Sequence, residues 1–222
     1  VFRMLYSQGV SLEALGIRNP DADPRESWRL FAERYHLFRG TPSRMWLDWV
    51  FAESFGLNVL LGAETSDLYY DTITEKLATD AFRPRALFER YNIEVIATTE
   101  NTLDDLRHHK AIRDSGWGGK VITAYRPDPV VDPEFEGFLD NLKTLSSLTG
   151  EDCFNWNGYL AAHRKRRAFF ASMGATSTDH GHPTARTADL SPAEAEALFK
   201  RVTQPSPSAE DAELFRAQML TE

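Results

Sequence analysis

The sequence predicts an α/β protein preceded by an all-helical region, and three observations carry that prediction. Three short apolar segments, residues 93–97, 121–124 and 175–178, each run into a polar cluster: Thr98-Thr99-Glu100, Tyr125-Arg126-Pro127-Asp128 and Asp179-His180-Gly181-His182. Helical stretches separate these segments, so the strands should run parallel, with all three clusters on one sheet edge. That carboxyl edge is where α/β proteins bind ligands. Finally, residues 1–84 show helices and turns without a strand pattern, which sets them apart from residues 85–222.

Each element has a local cause. The stretch Asn19-Pro20-Asp21-Ala22-Asp23-Pro24 is a turn-rich break, because proline and aspartate favour turns over helix continuation. Thr41-Pro42 opens a helix that Gly56 closes, and Met45, Trp46, Leu47, Trp49, Val50 and Phe51 make it apolar around most of its circumference, as in a buried helix. From Ser66, Tyr69, Ile73 and Leu77 recur every four residues on one face of the next helix. Residues 85–91 are helical, Asn92 is a stop, and 93–97 are rich in strand formers. Thr102 with Asp105 resembles a capping box for a helix running to about Arg113. After the turn Ser115-Gly116-Trp117-Gly118-Gly119 comes the second strand. Asp132-Pro133-Glu134 then starts a helix with Phe135, Phe138, Leu139, Leu142 and Leu145 on one face. Trp156, Tyr159, Leu160, His163, Arg167 and Phe170 form the stripe of the next helix, which Gly174 ends, and Ser191-Pro192-Ala193-Glu194 caps a later one. Three strands cannot close a barrel, which needs about eight, so the sheet is either a small open layer or part of a barrel.

Bulk properties narrow the functional classes. The 222 residues suffice for one large or two modest domains, and a hydrophobic content of 42% supplies a core. A formal charge of −8 argues against a general nucleic-acid or anionic-membrane binder, so an anionic ligand would need local arginines. The single cysteine, Cys153, cannot close an internal disulfide and fits a reducing compartment, with cytoplasm the expectation. No apolar run reaches the roughly 20 residues of a membrane span, and no signal-peptide pattern opens the chain. Starting at Val1 and stopping at Glu222 just after a helical pattern, the chain reads as cut at both ends.

Two strand ends carry the candidate chemistry. Pro127 stops the ladder and holds Arg126 extended, aiming its guanidinium off the sheet edge, where a planar fork of donors fits a carboxylate or a vicinal diol. The competing reading is an ion pair of Arg126 with Asp128 or Asp132 that ties down the loop. His180 supplies a metal ligand or proton carrier, and Asp179 could orient it. His180 and His182, two apart on an extended segment, can point to one side. The plainer alternative has His180 satisfied at the sheet edge and His182 in solvent. His108 and His109 diverge by about 100° on a helix and read as structural or exposed. The run His163-Arg164-Lys165-Arg166-Arg167 reads as a solvated helix face. Cys153 lacks a paired histidine or elbow motif, and no Walker loop, dinucleotide fingerprint or Gly-X-Ser-X-Gly turn occurs.

In combination and in order, Tyr35-His36-Leu37-Phe38-Arg39-Gly40, residues 92–100, Leu103-Asp104-Asp105-Leu106-Arg107-His108-His109, Tyr125-Arg126-Pro127-Asp128 and Ser177-Thr178-Asp179-His180 resemble the uronate (glucuronate) isomerase family of the amidohydrolase superfamily. The resemblance implies a distorted (β/α)8 barrel of TIM type with a helical insertion. Residues 1–84 would be the insertion and 85–222 a partial barrel. It implies aldose–ketose isomerisation of D-glucuronate to D-fructuronate, or D-galacturonate to D-tagaturonate, in hexuronate catabolism, with a divalent ion, often zinc. Arg126 matches the arginine that contacts the sugar acid. His180 matches a histidine near the metal, as ligand or hydrogen-bond partner, with Asp179 as its supporting carboxylate and Thr98-Thr99-Glu100 as a plausible lining. The family's His-X-His and Asp-His-Tyr segments should precede Val1, and its late aspartate ligand, arginine and tryptophan should follow Glu222, so the fragment alone is expected to be inactive and, with open barrel edges, prone to aggregate. Two alternatives stay open: another amidohydrolase-superfamily hydrolase or decarboxylase, and a noncatalytic α/β binding domain. Assembly with further copies of the chain is also left open.

Overall fold

A computed structural model describes residues 1–17 and 19–222. The chain divides into two compact units, Val1–Asn92 and Ile93–Glu222, where the sequence placed the division after residue 84.

The first unit is all helical: α1 (Phe2–Ser7), α2 (Pro24–Glu33), α3 (Pro42–Trp49) running into a π-helical turn (Val50–Ser54), α4 (Ser66–Leu77) and α5 (Pro84–Arg90). Asp23 caps α2 and Thr41 caps α3, each followed by proline at a position where its missing N–H costs nothing. Gly56 takes φ +67°, as the expected stop requires, and Asn92 takes φ +50° after α5. The core is aromatic, built on Phe31, Tyr35, Phe38, Phe51 and Tyr69, with Phe51 and Tyr69 meeting edge to face at 5.1 Å. The expectation that the Met45–Trp49 helix lies buried is corrected: no residue of α3 is buried, and Met45 and Trp46 are 73% and 72% exposed. Apolar residues spread around a helix cannot all face one core, and here the core takes Phe51 from the π turn. The Tyr69, Ile73, Leu77 stripe holds for its first two members only. A step of four residues drifts about 40° per repeat, which carries Leu77 out to solvent.

The second unit holds a parallel two-stranded sheet, β1 (Val95–Asn101) and β2 (Lys120–Arg126), registered from Val95↔Lys120 to Asn101↔Arg126. It is α/β, as expected. The strand expected at 93–97 begins later and continues through Thr98-Thr99-Glu100. Threonine suits a pleated ladder, so that cluster is strand rather than strand end. Helix α6 (Arg107–Asp114) makes the crossover. The expected Thr102–Asp105 capping box is absent: the Thr102 hydroxyl donates to the Arg126 carbonyl, while Asp104 and Asp105 accept from the amides of Leu106 and Arg107. Of the third expected strand only one parallel bridge forms, Tyr125↔Thr178, its bonds running from Tyr125 N–H to Ser177 O (3.1 Å) and from Asp179 N–H to Tyr125 O (3.0 Å). The sheet is therefore two strands and a bridge, not three strands.

Helices α7 (Asp128–Val131), α8 (Phe138–Thr149), α9 (Trp156–Ser172), α10 (Pro192–Val202) and α11 (Ala209–Met219) pack around a core of Leu142, Leu145, Tyr159, Phe199 and Phe215. Burying each such side chain contributes about 1.5–3 kcal/mol. α8 starts later than the sequence indicated, because Asp132 closes a turn onto the Glu134 amide and Gly137, at φ +77°, supplies the N-cap. The Ser191/Glu194 box caps α10 as expected. The basic run on α9 is not wholly a solvated face. His163 and Arg166 are buried, and Arg166 donates to the Thr102 and Asp104 carbonyls at 2.8 and 2.7 Å, fixing the loop that follows β1.

Candidate active site

Parallel pairing places Asn101, Arg126 and the Asp179-His180-Gly181-His182 segment on the same carboxyl edge. A cavity of about 310 Å³ opens there, lined by Asn101, Arg126, Asp128, Asp132, Phe135 and Gly181. Arg126 ends β2 with its side chain half-exposed, and its Nε donates to Asp128 Oδ2 at 2.5 Å while Nη1 lies 3.5 Å from Asp179 Oδ2. Both sequence readings of Arg126 thus have a structural counterpart: its guanidinium is held by Asp128, and the residue lines the cavity. Asp128, then Asp179, raise its already high pKa, so it stays cationic. Asp179 lies beside Arg126 and one residue before His180.

The two histidines approach each other as their alternation suggested, with ring centroids 5.2 Å apart. The plainer alternative, His182 in solvent, is corrected: its side chain is 3% exposed, with both ring nitrogens buried and unpartnered. His182 Nε2 is 3.8 Å from Asp128 Oδ1, and His180 Nδ1 is also buried without a partner. Desolvation lowers the pKa of both rings; Asp128 opposes this in each, and His180 adds to it for His182. Both therefore favour the neutral form with a free lone pair.

Behind His180 lies a smaller cavity, about 100 Å³, lined by Tyr125, Pro127, His163, Arg167, Thr178 and His180. The Tyr125 hydroxyl is 2.9 Å from His163 Nδ1, and His163 Nε2 is buried without a partner. Burial pushes Tyr125 up to about 12 and His163 down to about 3. The sequence missed this pair, because residue spacing cannot show that His163 on α9 faces Tyr125 on β2. Thr98 and Glu100 prove not to line the edge cavity. Thr98 Oγ1 is 2.8 Å from His109 Nε2 on α6, and Glu100 accepts from Thr123 on β2 and lies 3.6 Å from the same His109 nitrogen, so both face α6. The strand period of two turns Asn101 to the opposite face, in register with Arg126, and Asn101 takes the lining place. His109 is structural and His108 exposed, as expected. Cys153 is buried, and that burial raises its thiol pKa, which suits an inert side chain.

The buried His163 makes the pH dependence of stability specific. Its folded pKa, about 3, lies below the ordinary 6.5, so the unfolded chain binds more protons between these values. The His163 contribution is complete above pH 6.5 and is lost as pH falls toward 3, up to roughly a few kcal/mol. Urea midpoints of the full-length protein should fall across that window, and His163→Gln should flatten the fall.

Comparison with known proteins decides the family. The family model described as glucuronate isomerase matches residues 1–222. The chain belongs to the glucuronate isomerase family. A uronate isomerase of Sphingopyxis alaskensis is 76% identical over 225 residues, covering all of this chain and 48% of the relative, and that of Rhizorhabdus wittichii is 66% identical over 221 residues, covering 47% of the relative. The chain thus spans about half the length of these glucuronate isomerase family relatives. The crystal structure of glucuronate isomerase from Caulobacter crescentus superposes with a TM-score of 0.94 at 58% identity, over 99% of this chain and 47% of that one. A uronate isomerase of Thermotoga maritima shares the fold at a TM-score of 0.89 and 20% identity, over 99% of this chain and 48% of that one.

The divalent ion implied by the family resemblance can be tested against these side chains. Among the described residues no three His, Cys, Asp or Glu side chains are grouped to hold a metal ion. The orphaned, neutral-favouring imidazole of His180 fits a single donor. Among the described residues, His180 is thus a candidate donor without a grouped ligand set around it. Among the described residues no helix is long and apolar enough to cross a membrane.

Proposed function

We propose that the full-length protein interconverts the aldose and ketose forms of a hexuronate, D-glucuronate with D-fructuronate and D-galacturonate with D-tagaturonate. In this reading residues 93–222 are an arc of a (β/α)8 barrel, with its carboxyl edge part of the barrel mouth. The observation that carries the proposal is the half-exposed guanidinium of Arg126, held at that edge beside the His180 segment in a chain matched throughout by the isomerase family. Isomerisation needs the acid carboxylate anchored while a proton moves between carbons 1 and 2 of the opened sugar.

Arg126 supplies the anchor. Arg126 lines the cavity and carries a charge that no accessible pH removes. His180, biased to the neutral form, offers a lone pair to a substrate hydroxyl or to a divalent ion, and Asp179 is assigned as its supporting carboxylate. A zinc ion held by His180 and by donors outside residues 1–222 would supply Lewis-acid polarisation of a substrate oxygen. A single cysteine, Cys153, cannot close an internal disulfide and accords with a reducing compartment, so we place the reaction in the cytoplasm.

The test is turnover of D-glucuronate by the full-length protein, read as ketose formation. Stoichiometric ketose is the expected result; hydrolytic or decarboxylative product without ketose would sink the proposal.

A further inference from the structure

The Asp128 carboxylate is placed to do more than neutralise Arg126. Its side chain is 9% exposed, and its two oxygens bind different elements. Oδ2 accepts from Arg126 Nε at 2.5 Å, and Oδ1 accepts from the Gly181 backbone N–H at 2.7 Å. A single carboxylate thereby ties the end of β2 to the segment that carries His180. A Cβ built on Gly181 would stand 2.5 Å from Arg126 Nη2, so the guanidinium packs against that glycine in space a side chain would fill. With Nε bound to Asp128, Nη1 3.5 Å from Asp179 Oδ2 and Gly181 beside Nη2, the plane of the fork is set before any ligand arrives.

We infer that Asp128 is a positioning residue, and Gly181 the clearance, that together orient Arg126 toward a carboxylate in the edge cavity. The inference rests on the reading of Arg126 as the anchor of a sugar acid. A flexible arginine that must find its geometry on binding loses side-chain entropy and aligns poorly; one held through Nε presents its remaining donors with that cost already met. The pairing also gives the Gly181 N–H bond a role, that of registering the His180 segment against the arginine.

The experiment compares three variants of the full-length enzyme with D-glucuronate as substrate and D-gluconate as competitive inhibitor. In Asp128→Asn the amide can accept from one donor but turns an NH2 group toward the other, which releases either Arg126 or Gly181. The expected result is a rise in KM and in the gluconate Ki of about 10- to 100-fold, as for a binding group misplaced by an ångström. The kcat value should stay within about threefold, since uniform binding is what is lost. Gly181→Ala keeps every charge and displaces only the end of Arg126, so it should raise KM and Ki in the same sense, by about three- to tenfold. It decides the matter if Asp128→Asn fails to fold. If Arg126→Ala raises KM while Gly181→Ala and a folded Asp128→Asn leave KM and Ki unchanged, the positioning inference is overturned and the anchor stands. A fall in kcat at unchanged KM in Asp128→Asn also overturns it, by placing Asp128 in the chemistry. Unchanged KM in Arg126→Ala removes the anchor itself.

Discussion

Arg126→Ala in the full-length enzyme raises KM for the hexuronate by about 10- to 100-fold, the worth of a charge-assisted hydrogen-bonded pair to a carboxylate. The prediction depends on which contacts are lost. Asp128 holds Nε, so alanine forfeits both this ion pair and the remaining donors of a residue that lines the cavity. The fold should survive, because the Arg126 side chain is 42% exposed and the ladder it ends is formed by backbone groups. Asp128 would lose its cation but keep the Gly181 N–H, so a modest drop in melting temperature should accompany the kinetic effect. Steady-state kinetics beside a melting curve separate the two readings. Unchanged kinetics with a lowered melting temperature would mean that Arg126 only ties down its loop.

The second large effect is expected at His180. His180→Asn should lower kcat by about 10²- to 10⁴-fold, the usual loss when a positioned acid–base group is removed. Asparagine is smaller than histidine and loses the ring contact with His182, so a melting curve beside the assay separates lost packing from lost chemistry. Elemental analysis of the purified variant divides the possible causes: metal loss with activity loss makes His180 a ligand, and retained metal with lost activity makes it a hydrogen-bond or proton partner. Full activity would take His180 out of the site.

How much of this was legible in the sequence varies with the range of the interaction involved. Helices announced by caps and stripes, such as Thr41-Pro42 and Ser191-Pro192-Ala193-Glu194, formed where expected because their causes lie within four residues. The common edge of Arg126 and His180 was also legible, since alternation of helix and strand dictates parallel order. The length of β1 was not. Threonines read as a polar terminus can continue a ladder when the partner strand supplies the register. Asn101 was overlooked for the same reason, its face being fixed only once that register is known. The pairing of Tyr125 with His163 and the burial of Arg166 depend on how α9 rolls against the sheet, which a basic run on a helix does not disclose. Asp128 was visible as a partner for Arg126, but its second bond, to Gly181, spans a separation that no local pattern encodes.

The isolated bridge at Thr178 has a consequence for motion. Between Thr176 and His182 the backbone is tied to the rest of its unit by the amide of Asp179 on Tyr125, the carbonyl of Ser177 on the Tyr125 amide, and the amide of Gly181 on Asp128. Such a segment can open as a flap without melting β1 and β2, at a free energy well below that of global unfolding. In deuterium oxide the amides of Asp179 and Gly181 should exchange more slowly than their neighbours, and on the proposed reading D-glucuronate in the edge cavity should slow both together. The His180 segment is thus fastened at alternate residues, Ser177, Asp179 and Gly181, the last of them to the same carboxylate that holds Arg126.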